Sequence, residues 1–396
     1  FRTLWIYLFR INITTPKFIV IWEFIKLLIV KLNRYRILII TTLLIIQNLT
    51  FGQILKSDST RYAAEIQYHQ GITVPHHTNM IYLIDDYARG FELSLIRQRF
   101  KQDSWEKNFY NIETGIGFWY NTFGRKEIFG SGYALFPYVN FNILQWHNFS
   151  LRYKVALGLG YADKPYHYKT NPRNNVFGSH FNAYIGFGLK ANYRLTNNLS
   201  ILASFSLNHM SNGSSTKPNN GINTVSLTGG IVYDFATFQD EKRVKQKPQK
   251  SNSRELLTTL NVGRNQPSIY NSKKYLSGTA AITHLWHKNK TRAYGLGAEV
   301  FRFGGAPYAW EETNDIDVYK KYGGKDFLFA GSYATMESYL GKSTMFFTVG
   351  AYLYKQTKPL QPVYARVGIR YEIYNNLVAN FGIKANFFTA EFIEFG

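Results

Sequence analysis

The chain has 396 residues, 17% of them aromatic, with 31 Gly and no Cys. The lack of Cys excludes disulfides, thiolate metal sites, cysteine nucleophiles and a lipidated N-terminal cysteine together, while Tyr, Phe and Gly recurring through short segments point to an all-β protein. The formal charge of +21 raises nucleic acid as a partner, but the Lys and Arg are scattered and no basic helix or nucleic-acid motif accompanies them. A barrel among anionic lipid head groups accounts for the same spread.

In chain order, the first segment stands outside the fold. Arg34-Tyr35-Arg36, the apolar run Ile37–Ile46 and the stretch Asn48–Gln53 form the n-region, h-region and cleavage point of a secretory signal. Residues 1–52 are therefore read as signal and upstream sequence. Phe1–Lys31 is also apolar and basic, and reads either as a second membrane helix or as sequence ahead of the true start. Beyond the signal no run approaches the roughly 20 apolar residues that a spanning helix needs.

From Arg61 onward the dominant period is two. It predicts strands at 61–72, 89–99, 109–121, 128–144, 149–161, 181–194, 199–211 and 223–235, then at 255–264, 275–287, 293–303, 328–340, 344–355, 364–374, 377–388 and 390–396. In 199–211 the odd positions Leu199, Ile201, Ala203, Phe205 and Leu207 are apolar, against the even series Ser200, Leu202, Ser204, Ser206 and Asn208. In 181–194, Ile185, Phe187 and Leu189 oppose Gly186, Gly188 and Lys190. Alternation alone fits a soluble sandwich or a membrane barrel. Strands of roughly ten residues, aromatics near their ends and the signal favour a transmembrane antiparallel β-barrel in a bacterial outer membrane.

About sixteen strands fall into two similar halves, 53–238 and 255–396, joined by the polar stretch 239–254 as linker or loop. Asn197-Asn198-Leu199 aligns without a gap on Asn375-Asn376-Leu377, bringing Tyr193 onto Tyr371 and Asn208 onto Asn386. The halves make either one large barrel or two eight-stranded units, because hairpins give an even number both ways. The second half ends on a short strand.

The segment Asn208-His209-Met210-Ser211-Asn212-Gly213, followed by Lys217-Pro218-Asn219-Asn220-Gly221-Ile222-Asn223, carries the chemistry. Strand residues two apart share a face, so His209 and Ser211 continue the apolar series onto the lipid side. Asn223 shares parity with Val225, Leu227 and Ile231 on the next strand. Polar groups there are costly unless they satisfy one another, and an imidazole beside a hydroxyl lets a serine lose its proton during attack on an ester.

This run resembles the lipid A 3-O-deacylase family over roughly 61–235, most specifically over 205–235. The resemblance implies an eight-stranded outer-membrane barrel that hydrolyses an acyl ester of lipid A without a metal or other cofactor. It implies Ser211 as nucleophile, His209 as base, and Asn212, Gly213 and Asn219 near the oxyanion side. Its partners would be lipid A or lipopolysaccharide and the surrounding outer-membrane lipids. The family's Glu falls on Asn223. Either Asn223 orients His209 in an enzyme adapted to it, or another carboxylate approaches, or the site is slow or dead. In the second half the aligned positions are Phe387 and Thr389, so that half is expected to be non-catalytic. The competing reading is a non-catalytic channel or structural barrel with an incidental His-Ser pair. His69, His76, His77, Asp85 and Asp86 match no metal-ligand spacing, and Glu113 is expected in the lumen, paired with Arg152 or Lys154.

Overall fold

Sixteen antiparallel strands close on themselves twice. In the computed structural model, which describes residues 60–75, 78–101, 104–235, 251–305, 327–355, 361–386 and 389–396, one closed barrel is β1 (Thr60–Thr73), β2 (Ala88–Arg99), β3 (Glu113–Thr122), β4 (Ser131–Trp146), β5 (Phe149–Ala162), β6 (Phe181–Arg194), β7 (Leu199–Ser211) and β8 (Ile222–Asp234). The second is β9 (Arg254–Asn265), β10 (Tyr275–Asn289), β11 (Arg292–Phe303), β12 (Phe327–Leu340), β13 (Ser343–Lys355), β14 (Val363–Tyr374), β15 (Leu377–Asn386) and β16 (Thr389–Phe395). The choice between one large barrel and two smaller ones is thus resolved as two of eight strands. The signal segment, most of the 239–254 joint, His76, His77 and Phe387 lie outside the described residues. No described helix is long and apolar enough to cross a membrane, which says nothing of strands.

Two strand starts differ from the periodic pattern, and turn chemistry explains both. The segment before β3 forms a 3₁₀ turn at Trp105–Asn108, and Asn111 takes φ 51, which breaks extended pairing. Before β4, the Phe129 N–H donates to Arg125 O and Gly130 sits at φ 68, so the strand begins after that turn. At the other end of the second barrel's hairpin, β15 stops at Asn386.

The period-two pattern separates lipid from lumen as the side-chain chemistry demands. Ile201, Phe205 and Leu207 are exposed on the outer wall, while Ser206 and Asn208 are buried within. In β6, Phe187 and Leu189 face outward and Lys190 is buried. Charges inside are paired, since an isolated buried charge is costly. Lys190 Nζ donates to Glu65 at 2.6 Å, Lys154 pairs with Glu92, and Glu113 meets Arg61 at 3.2 Å and Arg152 at 3.4 Å. Trp119, Phe136 and Tyr184 fill the rest of the first lumen, with Phe136 and Tyr184 stacked at 4.7 Å. In the second, Arg366 bridges Glu299 and Glu394 at 2.7 and 2.5 Å, and Lys384 lies over the rings of Phe301 and Tyr364.

A row of outward-facing aromatics crosses the first barrel. Strand register links Tyr68 to Phe91, Phe91 to Tyr120, Tyr120 to Tyr133, Tyr133 to Tyr161 and Tyr161 to Phe181 in one run across β1–β6, a row tilted against the barrel axis as strand shear requires. Its members Tyr161 and Phe181 stand at strand ends beside the loops, where girdle aromatics meet the membrane–water boundary. The loops at the end where β7 runs into β8, 74–87, 123–130, 163–180 and 212–221, are on average longer than the connections 100–112, 147–148 and 195–198 at the opposite end. Ser57–Gly396 forms one compact unit, and within it Leu157 and Ala183 of the first barrel pack with Ile383 and Ile393 of the second.

Candidate active site

β7 and β8 bring three polar side chains together on the outer wall. His209 and Asn223 are direct register partners across the β7–β8 ladder, and Ser211 follows His209 by one pleat on the same face. The imidazole Nδ1 lies 2.7 Å from Asn223 Oδ1, and Nε2 lies 2.8 Å from Ser211 Oγ. An amide oxygen only accepts, so Nδ1 carries the proton and donates to it. Nε2 is then left as the acceptor for the serine hydroxyl. A polar cluster on a lipid-facing wall thus satisfies itself internally, which lowers the cost of placing it there.

Depth and surroundings follow from the register. Ser211 pairs with Ala183, two residues along β6 from the girdle residue Phe181. The hydroxyl therefore lies about 7 Å along the strand from that aromatic strand end. Ser211 is buried, and His209 and Asn223 are half-buried.

The loop between β7 and β8 is braced by its own asparagines. The Asn212 N–H donates to Asn219 Oδ1 at 2.9 Å. Asn212 Nδ2 donates to Thr216 O at 2.8 Å and to Ser179 Oγ at 2.9 Å. Gly213 sits at φ 59, where glycine carries no Cβ penalty, and a Cβ there would collide with the Ile393 side chain. All six residues singled out in the sequence lie in this one region. Sequence reasoning missed Gly221, at φ 72, where a Cβ would come within 2.9 Å of His209 Cε1 and 3.1 Å of Ser211 Cβ. It also missed Ser179 and Gln266, which reach the loop from distant segments. A glycine closing the turn Pro218-Asn219-Asn220-Gly221 was the available signal for the first; nothing local signals the other two.

The remaining candidates fall elsewhere. Glu113 lies in the lumen beside Arg152, away from the outer wall. His69 is buried there too, 3.9 Å from Glu92. Among the described residues no group of three His, Asp or Glu side chains is arranged to hold a metal ion.

Comparison with known proteins supplies the family. Residues 89–231 match the model of lipid A 3-O-deacylase, and residues 254–396 match the C-terminal domain of acyloxyacyl hydrolase. The chain belongs to the lipid A 3-O-deacylase family. The first match spans His209, Ser211 and Asn223; the second spans the whole second barrel. As a member of this hydrolase family folded as two barrels with apolar outer walls, the protein resides in the bacterial outer membrane. No curated protein matches the chain. Solved structures similar to part of it include the outer membrane enzyme PagL, at 15% identity over 42% of this chain and 97% of that one with a TM-score of 0.29. Neisserial surface protein A is similar at 13% identity over 46% of this chain and 98% of that one, with a TM-score of 0.28.

Proposed function

We propose that the protein is a serine esterase that removes an ester-linked acyl chain from lipid A, the 3-O ester being the bond the family points to. The observation that carries this reading is the continuous chain Asn223 Oδ1, His209, Ser211 Oγ at 2.7 and 2.8 Å on the lipid-facing wall. Ser211 Oγ attacks the ester carbonyl as His209 Nε2 takes its proton, giving a tetrahedral oxyanion. His209 returns that proton to the departing sugar hydroxyl, and the acyl chain remains on Ser211. Water, deprotonated by the same nitrogen, then releases the fatty acid. Asn223 keeps the imidazole in the tautomer this cycle requires.

Asn212, Gly213 and Asn219 are assigned to the oxyanion side. In the resting arrangement Asn219 Oδ1 occupies the Asn212 N–H. An oxyanion is a stronger acceptor than a neutral amide oxygen, so it competes for that donor as charge develops. Two further features support a lipid substrate. The site sits near the strand-end aromatic Phe181, at the end of the barrel whose loops are longer on average, which in such barrels is the outer-leaflet side. That rim carries Arg125, Lys126, Lys164, Lys169, Arg173 and Lys217, suited to anionic phosphates. The channel reading is disfavoured by lumens filled with paired charges and packed rings.

The test is mass spectrometry of lipid A after incubation with protein folded in detergent, beside Ser211→Ala and His209→Ala. One acyl chain lost with the native chain, and at least 10³-fold slower loss with either variant, is the expected result. Equal loss from all three, or none from the native chain, contradicts it.

A further inference from the structure

The first barrel alone gives the candidate site a single wall. Ser211 closes β7 on the outer surface, with Ala183 of β6 as its register partner. Beside it an apolar cleft of about 700 Å³ runs between the two barrels. Leu157, Leu159 and Ala183 form its near wall, and Ile369, Phe381 and Ile393 of the second barrel form the far one. Asn212 and Ser215, from the loop that follows Ser211, line the same cleft at the rim. Register sets its direction. Leu159 is the register partner of Ala183, and Leu157 lies two residues further down β5. The cleft therefore continues from the register row of Ser211 toward the bilayer centre, over about 7 Å of strand.

The same edge of the second barrel grips the loop that carries Asn212 and Gly213. Ser214 Oγ donates to Ala390 O at 2.6 Å. The Gln266 N–H donates to Ser214 O at 2.8 Å, and Lys217 N–H donates to Gln266 Oε1 at 3.1 Å. Gly213 stands directly against Ile393. Ser214 and Gln266 are buried in these contacts.

We propose that the second barrel is the specificity wall of the esterase site, holding the scissile acyl chain in the cleft between the barrels. The inference rests on the esterase reading and adds to it an occupant and a role for the second half. A single linear fatty acyl chain fits the chemistry. Both walls are aliphatic or aromatic, the polar groups cluster at the rim where an ester carbonyl would meet Ser211, and the path points into the membrane. In open lipid, an acyl chain beside one barrel wall takes many directions. Between two packed walls it takes one, and the restriction presents the ester to Ser211 in a fixed pose. Chain length then matters, because a longer chain touches more of the two walls.

The test uses the full chain in detergent with 4-nitrophenyl butyrate and tetradecanoate as paired substrates. Ala379, a small residue of β15 that lines the cleft, is changed in Ala379→Trp to fill it; Phe381→Ala enlarges it. The ratio of tetradecanoate to butyrate hydrolysis is expected to fall about tenfold with Ala379→Trp and to rise severalfold with Phe381→Ala, since a misplacement of about 1 Å already costs up to 10² in rate. Unchanged ratios in both variants overturn the cleft. Hydrolysis that survives Ser211→Ala overturns the esterase reading instead. A measurement free of turnover complements these: a tetradecanoyl ester with a diazirine on its terminal carbon is photolysed with the Ser211→Ala chain. Labels concentrated on β14–β16 and the facing β5–β6 wall support the proposal. Labels spread equally over β1–β3 contradict it.

Discussion

Asn223 orients His209 without lending it charge. Its Oδ1, 2.7 Å from Nδ1, selects the tautomer whose Nε2 accepts from Ser211, but a neutral amide does little to stabilise the imidazolium that forms during attack. A hydrogen bond to a charged acceptor contributes about 1 kcal/mol more than a neutral one, so Asn223→Glu is expected to raise kcat for ester hydrolysis by roughly fivefold. Asn223→Leu removes the orientation itself and should lower kcat by about 10²-fold or more; steady-state rates on one ester measure both. Gly221→Ala places a methyl against His209 Cε1 and Ser211 Cβ at φ 72. It should slow hydrolysis at least tenfold, at a backbone cost of about 1–2 kcal/mol, with the barrel still folded by gel mobility. The polar trio was legible in the sequence because a strand's period of two is purely local: His209, Ser211 and Asn223 share parity with their apolar neighbours. Gly221 was not, because its role is the space it leaves across a loop.

At the level of elements, the strands are held by what their inward faces bury. Glu65 on β1 and Lys190 on β6 meet at 2.6 Å with both side chains almost fully enclosed. Breaking such a pair from one side strands a charge in the lumen. Glu65→Ala is therefore expected to destabilise the first barrel by about 3–5 kcal/mol, and Glu65→Leu with Lys190→Met to recover most of that; urea unfolding of refolded protein reads the difference. Alternation in β6 exposed this inward lysine to sequence reasoning, and the pairing of Glu113 with Arg152 was anticipated in the same way. The starts of β3 and β4 were not, since they depend on backbone turns around Asn111 and Gly130 that no hydrophobic period records.

At the scale of the whole molecule, barrel closure was beyond any local pattern. Sixteen alternating segments fit one barrel or two, and what decides is pairing between distant strands: β1 with β8 from Ala63–Asp234 to Thr73–Thr224, and β9 with β16 through Gly263–Glu394 and Val262–Phe395. The internal likeness of 193–208 and 371–386 does find its place, for β6–β7 and β14–β15 are the sixth and seventh strands of their barrels. Both lumens being packed with paired charges and rings, reconstituted protein is expected to give no stable conductance steps in a planar bilayer. Regular steps would favour a channel. The central claim is that Ser211 is a nucleophile activated by His209. It is tested most directly by mapping the adduct of a long-chain fluorophosphonate on the folded protein by mass spectrometry. The expected result is one phosphonylated residue per chain, Ser211, with labelling lost in His209→Ala. An adduct elsewhere, no adduct, or labelling of Ser211 indifferent to His209 would contradict it.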